Sequence, residues 1–112
     1  MSEYQNRAVA LMTARLGAKS ASDPKERNEA YLAAAIELFL ALGGSAEDLV
    51  TAANASAEKS TLPVDVAIGE LMKEIAAIGP IHDLDIMQAA HNTLDLEMQS
   101  IRTPLDNSRK AR

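Results

Sequence analysis

The chain has 112 residues, of which 47% are hydrophobic and 24% are charged, and its formal net charge is −5. This length suits one domain of ordinary size, and the absence of cysteine excludes a disulfide scaffold and thiolate metal sites. The first residues lack the basic and then apolar order of a signal peptide, and no apolar stretch is long enough to span a membrane. We therefore expect a soluble, cytoplasmic protein.

The first predicted helix runs from Ser2 to Leu16, because apolar residues recur along one side and Gly17 is a plausible C-terminal stop. We expect the small and polar segment that follows, residues 18–22, to be a loop.

The second predicted helix has the clearest start. Asp23 is suited to cap it, Pro24 fits the first helical position, and Glu26 stands where the partner in a capping box belongs. Its second half, residues 30–42, is apolar except for Glu37. Because a helix that is apolar on all sides is normally buried on all sides, we expect this helix to be central and to end at Gly43.

Three further helices follow. Ser45 begins a short third helix that ends before Thr61, a fourth helix extends to Gly79-Pro80, and a fifth extends from about Asp83 to Pro104. No strand pattern is sustained. The sequence predicts an all-α bundle with four main helices and a shorter third one.

The composition of the core predicts association. With three aromatic residues in the chain, the core must be filled by Ala, Leu, Ile and Met, and Ala-rich helices bury little apolar area. The expected stability of a lone chain is therefore modest. We expect a homodimer or a higher homo-oligomer in which the central helices bury one another.

The acidic residues are concentrated in the body of the chain. Residues 1–100 hold 7 Lys and Arg against 15 Asp and Glu, whereas the last twelve residues are net basic. We expect one helical domain over residues 1–103 and a basic, flexible tail over residues 104–112. An acidic body argues against binding to nucleic-acid backbones, so we expect such contact only through the tail.

Three carboxylates are the candidate metal ligands. Glu70 and Glu74 share a face of the fourth helix, and Glu37 is the one carboxylate in the apolar stretch of the second. If these helices face each other, the three oxygen ligands suit Mg²⁺, although Lys73 is equally placed to neutralise the pair on its own helix. A rim position that reaches solvent is the alternative for Glu37.

Other catalytic arrangements find no support in the sequence. It contains no nucleophile motif and no glycine-rich phosphate loop. His82 and His91 are nine residues apart and do not share a helical face. We expect His82 to lie at the start of the fifth helix and His91 on a helix surface.

Most of residues 4–96 resembles the MazG-like all-α nucleoside triphosphate pyrophosphohydrolases, in particular a small branch from phages and proteobacteria. The resemblance is carried by Tyr4-Gln5-Asn6-Arg7, Leu16-Gly17, Lys25-Glu26-Arg27-Asn28, Tyr31-Leu32, Ile36-Glu37-Leu38 and Ala41-Leu42-Gly43, and by the run from Gly69 to Leu94 around Asp83-Leu84-Asp85-Ile86. It implies a helical bundle, oligomers, and Mg²⁺-assisted hydrolysis of a nucleoside triphosphate to the monophosphate and pyrophosphate.

The ligands of that family are carboxylates in a Glu-Glu-x-x-Glu motif on one helix and a Glu-x-x-Asp motif on another. Here the first two acids fall on Ala33 and Ala34, so that only Glu37 matches the first motif. The second motif falls on Ala67 and Glu70, or, in another register, on Glu70 and Lys73. Either register leaves about two of the five acids.

Three functions are consistent with this pattern. The first is a MazG-like scaffold, a pseudoenzyme that has lost most catalytic carboxylates and retains weak nucleotide or Mg²⁺ binding. The second is a helical module for protein–protein interaction, such as a phage inhibitor or regulator. The third is an active, Mg²⁺-dependent pyrophosphohydrolase whose rearranged acids include Glu74 or Asp65.

Overall fold

Six α-helices joined by short connections make up the computed structural model, which describes residues 1–102. The helices are α1 (Glu3–Leu16), α2 (Ala18–Ala21), α3 (Pro24–Ala41), α4 (Ala46–Ala57), α5 (Val64–Ile81) and α6 (Ile86–Arg102). The all-α prediction is confirmed, with no strand among these residues. No helix in the described part of the chain has the length and apolarity needed to cross a membrane. The predicted basic tail, residues 104–112, lies outside the described residues.

Side-chain caps confirm three of the predicted helix starts. The Ser2 and Ser45 hydroxyls each accept a hydrogen bond from a backbone N–H three residues later, at 3.1 Å, and Asp23 accepts from the backbone N–H of Glu26 at 2.8 Å. The predicted capping box is wrong in one respect. The Glu26 carboxylate accepts from the Ser20 hydroxyl, at 3.4 Å, and the Asp23 N–H donates to the carbonyl of Ser20.

The predicted loop at residues 18–22 is wrong, because Ala18–Ala21 form the one-turn helix α2. Gly17 has a φ of +84°, so the chain changes direction there, and a new helix begins at the next residue. The backbone N–H of Ala21 bonds to the carbonyl of Gly17, and the Ser22 hydroxyl bonds to the carbonyl of Ala18 at 2.8 Å. Gly17 therefore separates two helices instead of starting a loop.

The predicted end of the fourth helix at Gly79-Pro80 is also wrong, since α5 continues to Ile81. Pro80 lies in the last turn, where its missing N–H removes one hydrogen bond near the helix end. His82 is the C-cap of the helix, and the next residue, Asp83, adopts the left-handed conformation with a φ of +54°. The N–H of Leu84 then bonds back to the carbonyl of Gly79 at 2.9 Å, which completes a Schellman motif.

Packing between helices centres on α1, which contacts both α2 and α6. The buried hydrophobic side chains of the described residues are Leu11 of α1 and Leu94 of α6, which are 1% and 6% exposed. Helix α3 has no buried residue, so the expectation that it is buried on all sides is wrong for the single chain. The radius of gyration is 16.6 Å, whereas a compact chain of this length would have about 13 Å.

Candidate functional site

An apolar groove of about 460 Å³ lies between α3 and α5. We call it the α3–α5 groove. Helix α3 contributes side chains at the spacing of one helical face: Tyr31, Ala34, Ala35, Leu38, Phe39 and Leu42. Helix α5 supplies the other wall: Leu71, Glu74, Ile75 and Ile78. Glu74 is the charged residue in this lining, so the groove is suited to apolar ligands.

Phe39 is held in the groove by the way α3 ends. Gly43 has a φ of +96°, and the N–H groups of Gly43 and Gly44 bond to the carbonyls of Leu40 and Phe39, each at 3.0 Å. This Schellman motif folds Gly44 back onto the aromatic ring, where a Cβ on Gly44 would overlap the ring atoms. Gly43 therefore allows the left-handed turn, and Gly44 leaves room for the Phe39 ring.

The three predicted metal ligands lie on two helices and are all exposed. Glu70 accepts a hydrogen bond from the Lys73 ammonium at 2.8 Å, which is the neutralising pair that the sequence offered as the alternative. Glu74 lines the α3–α5 groove, and Glu37 is outside its lining. Within residues 1–102, no group of three His, Asp or Glu side chains is close enough together to hold a metal ion. The Mg²⁺ site formed by these three residues stays a prediction.

The alanines that replace the first two acids of the MazG-like motif have different positions. Ala34 lines the α3–α5 groove, and Ala33 does not. Helical periodicity turns Ala33 toward the side of α3 away from the groove. In the second motif, Ala67 and Asp65 are exposed, and the Asp65 carboxylate accepts from the backbone N–H of Val66 at 2.9 Å.

A second polar cluster joins α1 to α6, and sequence reasoning did not anticipate it. The Arg7 guanidinium donates to Nδ1 of His91 at 2.6 Å and forms an ion pair with Asp95. The His91 ring also meets the ring of Tyr4 edge-on, with centroids 5.3 Å apart. His91 is therefore half-buried in a helix–helix contact, which corrects the expectation of a surface histidine.

The position expected for His82 is also corrected. It is the C-cap of α5 and does not begin the next helix. Asp85 begins α6 instead, because its carboxylate accepts from the backbone N–H of Gln88 at 2.9 Å. Periodicity could have placed Arg7 and Tyr4 on one side of the first helix, but no signal in the sequence connected them with His91, which lies 84 positions after Arg7.

The chain matches no protein-family model, and no curated protein or solved structure shows significant similarity to it.

Proposed function

We propose that this chain is a helical protein-interaction module that binds an apolar helix of a protein partner in the α3–α5 groove. The observation that carries the proposal is the lining of the groove, where nine apolar side chains surround the single carboxylate of Glu74. Recognition of a helix in a groove uses apolar anchors spaced by three and four residues, as the α3 wall itself has.

The size of the groove supports a helical ligand. Its α3 wall extends from Tyr31 to Leu42, about 17 Å at about 1.5 Å per residue, which is the length of three helical turns. Tyr31 is 50% exposed, and Leu38 and Leu42 are about two-fifths exposed, so the anchors of this wall face solvent in the single chain. Contiguous apolar surface of this kind marks interaction sites.

The departures from the MazG-like motif fit the same proposal. Ala34 stands where the resemblance implies an acid, and it lines an apolar groove in which an unpaired carboxylate would lose hydration. Alanine at this position lets a partner helix approach the α3 backbone closely. In this proposal the chain keeps the MazG-like helical scaffold and uses its groove for protein contact.

Cysteine accessibility tests whether a helix occupies the groove. The chain has no cysteine, so Ala34→Cys and Ala33→Cys each introduce the only thiol, on adjacent residues of one helix. We expect a small thiol reagent to modify Ala34→Cys at least about tenfold more slowly than Ala33→Cys after addition of a synthetic amphipathic helix. Equal rates in the presence of the helix contradict the proposal. Unfolded samples of both variants in urea provide the intrinsic rates.

A second measurement separates this proposal from the enzymatic alternative. The chain is incubated with a panel of nucleoside triphosphates and Mg²⁺ or Mn²⁺, and pyrophosphate release is measured. We expect no release above background and no nucleotide-dependent rise in the melting temperature, since a ligand of the native state would stabilise it. Turnover that disappears in Glu37→Gln would establish the pyrophosphohydrolase alternative instead.

A further inference from the structure

We infer that the partner helix in the α3–α5 groove is cationic and carries a lysine or arginine at the edge of its apolar face, where the cation pairs with Glu74. This inference rests on the proposed function and states the chemistry of the partner. It follows from the unpaired carboxylate of Glu74, the place of Glu74 in the groove and the distribution of charge along the chain.

Glu74 has no partner within the described chain. No ion pair and no side-chain hydrogen bond of residues 1–102 includes it. Lys73 is the nearest cation along the sequence, but its ammonium donates to Glu70 at 2.8 Å. Adjacent residues of a helix do not face each other, so Lys73 serves Glu70 and leaves Glu74 unpaired.

A ligand that covers the groove changes the surroundings of Glu74. This residue lies beside Leu71 and Ile75 in the lining, and it is exposed to water in the single chain. An apolar helix across the lining removes part of that water, and a carboxylate that loses water without gaining a partner weakens binding. A cation on the helix compensates for the loss, whereas an acidic residue adds repulsion. Glu74 therefore distinguishes helices that the apolar anchors alone would bind equally.

Lysine and arginine are compatible with the apolar walls of the groove. Both side chains can place their methylene groups along apolar surface while the charged end stays near water. Leu71, Ile75 and Ile78 offer such surface on the same helix as Glu74. The cation of the ligand therefore belongs at the edge of its apolar face and not at the centre.

The charge of the chain around the groove favours the same ligand. Residues 31–81, which include both walls, hold two Lys against seven Asp and Glu. Residues 1–30 hold five Lys and Arg against four Asp and Glu, so the negative charge is concentrated in the part that forms the groove. A surface of one sign attracts ligands of the opposite sign and speeds their association. A cationic helix is therefore favoured during approach as well as in the bound state.

Three synthetic peptides test the inference on the full chain. They share one leucine-rich amphipathic helix and differ at the positions that flank its apolar face, which are lysine, glutamine or glutamate. Fluorescence anisotropy of the labelled peptides gives the dissociation constants, and protection of Ala34→Cys shows that binding is in the groove. We expect the lysine peptide to bind at least about fivefold more tightly than the glutamine peptide, and the glutamate peptide to bind most weakly. Equal affinities overturn the inference.

Two substitutions in the chain assign the preference to Glu74. Glu74→Gln should reduce the preference for the lysine peptide over the glutamine peptide to within about twofold, because it removes the charge inside the groove. Glu70→Gln is the matched control, since it removes the same charge one turn earlier, from a residue outside the groove lining. It should leave the preference within about twofold of that of the wild type. A preference that survives Glu74→Gln, or that both substitutions reduce equally, overturns the inference.

The outcomes also separate this inference from the proposed function. Three peptides that protect Ala34→Cys with equal affinity leave the proposed function in place and reject only the cationic ligand. If no peptide protects Ala34→Cys, the proposed function and the inference fail together. Protection that needs no peptide and rises with chain concentration would assign the groove to a second copy of the chain and overturn the inference.

Discussion

Two glycines of α5 should respond in opposite directions to the same substitution. A Cβ at Gly79 would lie 2.9 Å from the carbonyl oxygen of Leu84 and 3.0 Å from Cγ1 of Ile86. The first of these atoms belongs to the backbone of the turn, so relief requires the turn to move. Overpacking of this kind costs about 1–3 kcal/mol, against a gain in helix propensity of about 1 kcal/mol. Since the nearest atom is backbone, we expect the steric cost to exceed the gain, so that Gly79→Ala lowers the free energy of unfolding by about 1–2 kcal/mol.

Gly69 is the matched control, because it lies in the same helix and a Cβ there would meet no atom within 4 Å. Gly69→Ala should raise the free energy of unfolding by about 0.5–1 kcal/mol through helix propensity alone. Urea unfolding monitored by circular dichroism measures both, at one fixed chain concentration because the stability of a chain that associates depends on its concentration. A Gly79→Ala variant as stable as the wild type would refute the steric reasoning, and so would a shift of both variants in the same direction.

Two further substitutions test the turn after α5 and the contact between α1 and α6. Asp83→Gly should raise the free energy of unfolding by about 0.5–1 kcal/mol, because glycine adopts the left-handed conformation at this position without the strain of a side chain. A variant whose stability in urea is unchanged or lower would contradict this expectation. His91→Phe keeps a ring beside Tyr4 and removes the acceptor for Arg7, so it should cost about 0.5–1.5 kcal/mol. His91→Ala also loses the ring contact and should cost more, and thermal unfolding that ranks the two in the reverse order would contradict a stabilising ring contact with Tyr4.

The parts of the fold that depend on local chemistry were predictable from the sequence. Asp23 and Ser45 cap helices through hydrogen bonds to residues three positions away, so the signal for each start lies within one turn. The end of α5 was not predictable in this way. Gly79 and Pro80 are residues that usually end a helix, but α5 continues to Ile81. The left-handed residue of the turn that follows is Asp83, at a position where glycine is usual.

The candidate site was predictable only in part. The apolar stretch around Glu37 predicted a helix buried on all sides, but α3 has no buried residue, because composition cannot say whether other helices of the same chain pack against it. Spacing placed Glu70 and Glu74 on one helical face, yet their surroundings differ, since Glu70 pairs with Lys73 and Glu74 lines the groove. The contact of Arg7 with His91 depends on the path of the whole chain, which no local pattern reports.

The turn that holds Phe39 has a consequence for the order of folding events. The groove wall on α3 is fixed by contacts between Phe39 and Gly44, five residues apart, and local contacts of this kind form quickly. The pairing of Arg7 with His91 closes a span of 84 residues and must wait until nearly the whole described chain has been synthesised. The α3 wall of the groove can thus form before α1 and α6 meet. Its apolar side chains are then in place early in folding, before the long-range contact closes the domain.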